Sequence, residues 1–203
     1  MIVCATPRSG GTKFGYDKAQ ELGIPFLNEV VPGNAIPFQF RPTWKNKFHE
    51  LPCQPILTMD QLHRVTAYPE SNHFVILVNG TNSHWLFHKA DWFVARKNIK
   101  DWLCSVCNFW IKNRQGKMGL ELIQTYLTFT IENGFTLYDF CRQHDKNIHW
   151  YEDMVYARKT SYTSLVEHKD YKKIIETMDY LVKSSNLLDT HEEIFYDRGF
   201  EEK

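Results

Sequence analysis

The feature that most constrains this chain begins at its second residue. Ile2-Val3-Cys4-Ala5 is a short apolar run of β type, and Thr6-Pro7-Arg8-Ser9-Gly10-Gly11-Thr12-Lys13-Phe14 follows it. A helix-like segment then runs to Leu22-Gly23. Strand, glycine turn and helix start together make an anion cradle. Glycines let backbone N–H groups converge with no Cβ in the way, and the helix dipole favours negative charge there. Arg8 and Lys13 add two cations to the same turn, which points to phosphate or a similar oxyanion. A Walker A loop would set Ser or Thr directly after its lysine to hold Mg²⁺, whereas Thr12 here precedes Lys13. The plainer alternative is a Gly-Ser turn after any buried strand.

A cradle of this kind belongs to α/β folds, and the rest of the chain reads that way. Apolar runs at 24–31, 73–79, 91–95 and 147–151 are further strand candidates. The 73–79 run is apolar without alternation, as in strands buried on both faces. Helical patterns cover 12–22, 58–67, 98–114, 118–144 and 170–184, with a break expected in the fourth near Asn133-Gly134. The segment 32–55 is punctuated by proline and carries Phe38, Phe40 and Trp44. It reads either as a substrate-side flap or as packed aromatics. The expectation is one domain over 1–203: a P-loop-type parallel β-sheet of about five strands, flanked by helices, with ligand at the strand C-terminal ends.

Composition narrows the function. Lys+Arg and Asp+Glu balance at 24 each, so bulk charge recruits neither nucleic acid nor an anionic membrane, and any anion site is local. The hydrophobic fraction of 43% excludes a disordered chain. No apolar run is long enough to span a bilayer and no signal peptide is visible, which leads to the expectation of a cytoplasmic protein. Five cysteines form no disulfide pattern. Cys104 and Cys107 make a lone C-x-x-C on one helical face and read as small core residues.

Three stretches in order resemble one family. The run Pro7-Arg8-Ser9-Gly10-Gly11-Thr12 resembles the 5′-phosphosulfate loop of sulfotransferases that use 3′-phosphoadenosine 5′-phosphosulfate (PAPS). In the run 93–105, a strand ends in Arg96-Lys97 and the following helix carries Ser105. In that family the corresponding Arg and Ser hold the nucleotide's 3′-phosphate. The spacing from Arg96 to Ser105 is one longer than the family's, while Lys97 fits it, so either cation is a candidate, with Arg96 preferred for its fork geometry. Tyr151-Glu152-Asp153-Met154 is similar to a tetrad at which the family's tyrosine lies near adenine. Its plainer role is an aromatic strand end followed by an acidic cap, which suits Glu152 and Asp153. The Arg-Lys-Gly loop of cytosolic members has at most Arg198-Gly199 as a counterpart.

The resemblance implies sulfuryl transfer from PAPS to a hydroxyl or amine of a small-molecule, glycan or peptide acceptor, with no metal. Ser9, Gly10, Gly11, Thr12 and Lys13 would cradle the 5′-phosphosulfate, and Arg8 and Lys13 would neutralise the departing phosphate. Glu29, at the end of the second strand, matches the catalytic glutamate of some branches and is the first candidate base. His84 is second. His84 and His88 at i,i+4 also form a possible zinc pair, ranked last. Two other functions share the same physics: a P-loop nucleotide kinase or NTPase, and a non-catalytic nucleotide-binding protein.

Overall fold

The computed structural model describes residues 1–24, 26–27, 75–79, 84–158 and 162–197. Glu29, the 32–55 segment with its aromatics, the helix expected at 58–67 and Arg198-Gly199 lie outside the described residues. The architecture is α/β, with one parallel sheet and helices packed against it. Three strands of four or five residues form its middle: β1 (Ile2–Ala5), β3 (Val75–Asn79) and β4 (Trp92–Ala95). Two shorter strands flank them, β2 (Phe26–Leu27) and β5 (Ile148–Trp150). The order is β2-β3-β1-β4-β5.

The central strands β1 and β4 are covered on both faces. Along β1 the side chains alternate between two cores. Ile2 and Cys4 join a large cluster with Phe93, Trp102 and Leu127, while Val3 and Ala5 join Phe14, Ala19 and Val94. The smaller cluster belongs to α1 (Gly11–Leu22), which closes at Gly23 in the left-handed conformation, φ 66°. There the Gly23 N–H returns to the carbonyl of Gln20, as expected for a glycine stop. The larger cluster lies under α2 (Ile99–Asn113), α3 (Leu120–Gln143) and α5 (Tyr171–Ser184). Two one-turn helices, α4 (Thr163–Val166) and α6 (Leu187–Thr190), complete that side.

One expectation is corrected. The helix over 118–144 has no break at Asn133-Gly134; α3 runs unbroken through both residues. Gly134 serves a neighbour instead. A Cβ there would lie 2.8 Å from Cζ3 of Trp102, whose ring is wholly buried against the helix. The glycine lets an indole touch the helix backbone, at the cost of helix propensity. Cys104 and Cys107 are core residues, as read, and burial pushes the Cys104 thiol up to about 12. Among the described residues, no helix is long and apolar enough to cross a membrane.

Candidate functional site

The loop after β1 is held from beneath by its neighbours. The Thr6 N–H donates to the Val94 carbonyl at 3.0 Å, and the Ser9 hydroxyl, fully buried, donates to the Thr6 carbonyl at 2.7 Å. From α2, the indole N–H of Trp102 donates to the Pro7 carbonyl at 2.6 Å. Two residues turn left-handed: Arg8 at φ 60° and Gly10 at φ 81°. A non-glycine residue at positive φ is uncommon and marks a turn the surroundings enforce. Gly10 is the N-cap of α1 and has no side chain to cap the N–H groups of the first turn. At the base of the loop, Thr6 is 2% exposed and its hydroxyl has no hydrogen-bond partner among the described residues.

The sheet then delivers the second and third motifs to the same edge. β1 pairs with β4 and β4 with β5, all parallel, with Ala5 opposite Val94 and Ala95 opposite Trp150. Continuing one residue past these pairs sets Arg96 opposite Tyr151. The Arg96 guanidinium lies 4.3 Å from the centroid of the Tyr151 ring. The same ring lies against Gly10: a Cβ on that glycine would sit 2.7 Å from Tyr151 Cδ2. Loop, basic strand end and tyrosine are thus one packed unit.

The acids of the tetrad do more than cap. Tyr151–Asp153 form a single 3₁₀ turn. The Glu152 carboxylate accepts from the N–H of Lys97 at 2.8 Å and of Asn98 at 3.2 Å, and lies 3.5 Å from Arg96 Nε. Asp153 takes the Lys97 ammonium at 2.7 Å. The N-cap of α2 is instead Asn98, whose side chain accepts from the Asp101 N–H at 3.1 Å. The carboxylates therefore fix the corner between β4 and α2 rather than the start of their own turn. Arg96 is only 3% exposed and also donates to the Asp101 carbonyl at 3.3 Å. Lys97 stands at the rim. Ser105 is half-buried on α2, one helical turn beyond Asp101.

Lys13 has a companion that its motif does not include. Its ammonium is ion-paired with Asp17 one turn along α1, and lies 5.1 Å from the centroid of the Tyr156 ring. Arg8, at the exposed end of the loop, places its guanidinium 4.7 Å from the Phe109 centroid. Tyr156 closes the other side of Gly10, 3.4 Å from the position of a Cβ there. Its hydroxyl is buried and without a hydrogen bond among the described residues. Burial, with the charges of Asp17 and Tyr151 nearby, holds its phenol well above the ordinary tyrosine range, so it stays a neutral donor.

Of the residues singled out by sequence, the structure brings together Arg8, Ser9, Gly10, Gly11, Thr12, Lys13, Arg96 and Tyr151 on one sheet edge. Glu29 is outside the described residues, and of His84 only the backbone is described. His84–Lys89 is a 3₁₀ helix, in which residues four apart do not share a face, so the spacing behind the zinc pair does not apply. His88 packs edge-on to Phe140 and His144, at 4.9 and 5.1 Å between centroids. Sequence reasoning missed Trp102, Tyr138, Asp17 and Tyr156. Tyr138, wholly buried, donates its hydroxyl to the Arg96 carbonyl at 3.1 Å, so α3 supports the strand end as Trp102 supports the loop. Comparison with family models, with curated proteins and with solved structures returns no match for this chain.

Proposed function

We propose that this chain is a PAPS-dependent sulfotransferase. The observation that carries the reading is the packed edge itself. An anion-cradling loop leaves the central strand β1 where the sheet order changes direction, and a buried arginine ends the adjacent strand β4. In this reading the N–H groups of Gly10 to Lys13, with Arg8 and Lys13, take the 5′-phosphosulfate. Arg96 and Ser105, with Lys97 in reserve, take the 3′-phosphate. Tyr151 lies beside the base. An acceptor oxygen or nitrogen forms the new bond to sulfur as the bond to the phosphate oxygen breaks, releasing adenosine 3′,5′-bisphosphate. The acceptor's proton goes to Glu29, with His84 as the second candidate. Acceptors are small molecules, glycans or peptides, and the setting is cytoplasmic.

A ligand that binds only the folded state raises its melting temperature, so thermal shifts rank the nucleotides. Adenosine 3′,5′-bisphosphate without metal should stabilise the chain well beyond AMP. Equal shifts with AMP, or a strict requirement for Mg²⁺ with ATP, move the assignment to the kinase class. Tight binding of the bisphosphate with no labelled product from any acceptor panel moves it to a non-catalytic nucleotide-binding protein.

A further inference from the structure

We infer that Asp17 is a specificity-determining residue, one that tunes the loop to a terminal sulfuryl group over a phosphoryl group. The inference rests on the proposed nucleotide site. A phosphosulfate and a diphosphate have nearly the same shape, and the terminal sulfuryl carries one negative charge where a phosphoryl carries two. Shape alone therefore cannot separate them, and local charge can. Two cations serve this loop, Arg8 and Lys13. The second is committed: its ammonium is ion-paired with Asp17, with both side chains about one-third exposed. The rings of Tyr156 at 5.1 Å and Tyr16 at 6.0 Å flank the ammonium. The pair presents a dipole to the loop rather than a full positive charge. Either ligand draws on Lys13, but the doubly charged phosphoryl meets the Asp17 carboxylate with one negative charge more than the sulfuryl does, and so loses more by its repulsion.

The size of the effect follows from position. Asp17 lies six residues along α1 from Gly11, about 9 Å of helix rise. One extra ligand charge at that distance, in a medium between protein surface and water, changes affinity about two- to fivefold. The test compares adenosine 5′-phosphosulfate with ADP, without metal and at a pH where the terminal phosphate is fully ionised, by calorimetric titration of the full chain. In Asp17→Asn the affinity ratio should move toward ADP by that factor, and Asp17→Glu should restore the native ratio. Parallel titrations use inorganic pyrophosphate and sulfate, with a larger gain expected for pyrophosphate in Asp17→Asn. Nucleotide binding with an unchanged ratio overturns the inference and leaves the site standing. Charge-dependent gains with the inorganic anions, but no nucleotide binding, uphold Asp17 and remove the nucleotide site. No anion binding by either form overturns both.

Discussion

Glu152→Gln is the sharpest perturbation of the corner that joins the three motifs. The carboxylate accepts from two backbone N–H groups and faces a guanidinium that is 97% buried. Glutamine has nearly the same shape but only one acceptor oxygen. Its NH₂ must face one of the two N–H groups, so one charge-assisted bond is lost, about 1.5–3 kcal/mol. The Coulombic contact with Arg96 goes too. Losing a buried ion pair outright costs about 3–5 kcal/mol. Arg96 keeps the Asp101 carbonyl and the Tyr151 ring, and Glu152 is 23% exposed, so the whole change, lost bond included, lies near the lower end. The expected loss is therefore about 3 kcal/mol, or roughly 6–12 °C for a domain of this size. Guanidinium unfolding followed by circular dichroism measures it. Asp153→Asn is the internal control: its pair with Lys97 is 59% exposed on the acid side, so the change should stay within about 0.5 kcal/mol. Equal losses in the two variants, or less than about 1 kcal/mol for Glu152→Gln, refute the reasoning that buried pairing at Arg96 holds this corner.

Two further outcomes follow from the packing and the titrating groups. Gly134→Ala, which in a bare helix stabilises by about 1 kcal/mol, should here destabilise by about 1–3 kcal/mol, because the new methyl meets the Trp102 ring; equilibrium unfolding gives the sign. Burial lowers the pKa of His191, with Arg142 adding to it, and burial with Lys18 lowers that of His149. The folded chain then binds fewer protons than the unfolded one. Stability is present above the ordinary histidine pKa of about 6.5 and falls as pH drops through it. Urea midpoints at pH 7.5 and 5.5 should show that fall, and His191→Gln should flatten it.

How much of this was legible depended on whether the signal was local. The strands were, because short apolar runs such as Ile2–Ala5 and 91–95, bounded by turn residues and alternating with helical patterns, suit the buried strands of a parallel sheet. The stop at Gly23 was equally local. Gly134 was misread because a glycine in a helical pattern carries the same letter whether it breaks the helix or admits a neighbour. The neighbour, Trp102, is a separate helix away. Trp102 and Tyr138 escaped for the same reason: their hydrogen bonds go to Pro7 and Arg96, far off in sequence. Asp17 was different. Lys13 and Asp17 stand at i,i+4 on a helix already identified, so the pair was visible, yet Lys13 was weighed as a lone cation. That Arg96 rather than Lys97 turns inward needed the fold, since only the packed corner decides which of two adjacent cations is buried.

The register of β5 against β4 is what packs the three motifs into one candidate site. Successive strand residues face opposite sides of a sheet, so a slip of one residue would carry every β5 side chain to the other face. With Ala95 opposite Trp150, the next positions are Arg96 and Tyr151, and the ring reaches both the guanidinium and Gly10. Slipped by one, Tyr151 would leave both, and Glu152 would no longer meet the N–H groups of Lys97 and Asn98. At its far end the ladder is backed by packing, with Phe93 opposite Ile148 against the larger core. At its near end it is held by the Glu152 bonds. The loop, the basic strand end and the tetrad therefore depend on one another through a strand of three residues. A side chain that fixes that strand's end, Glu152 above all, acts on the proposed anion site without lying in the loop.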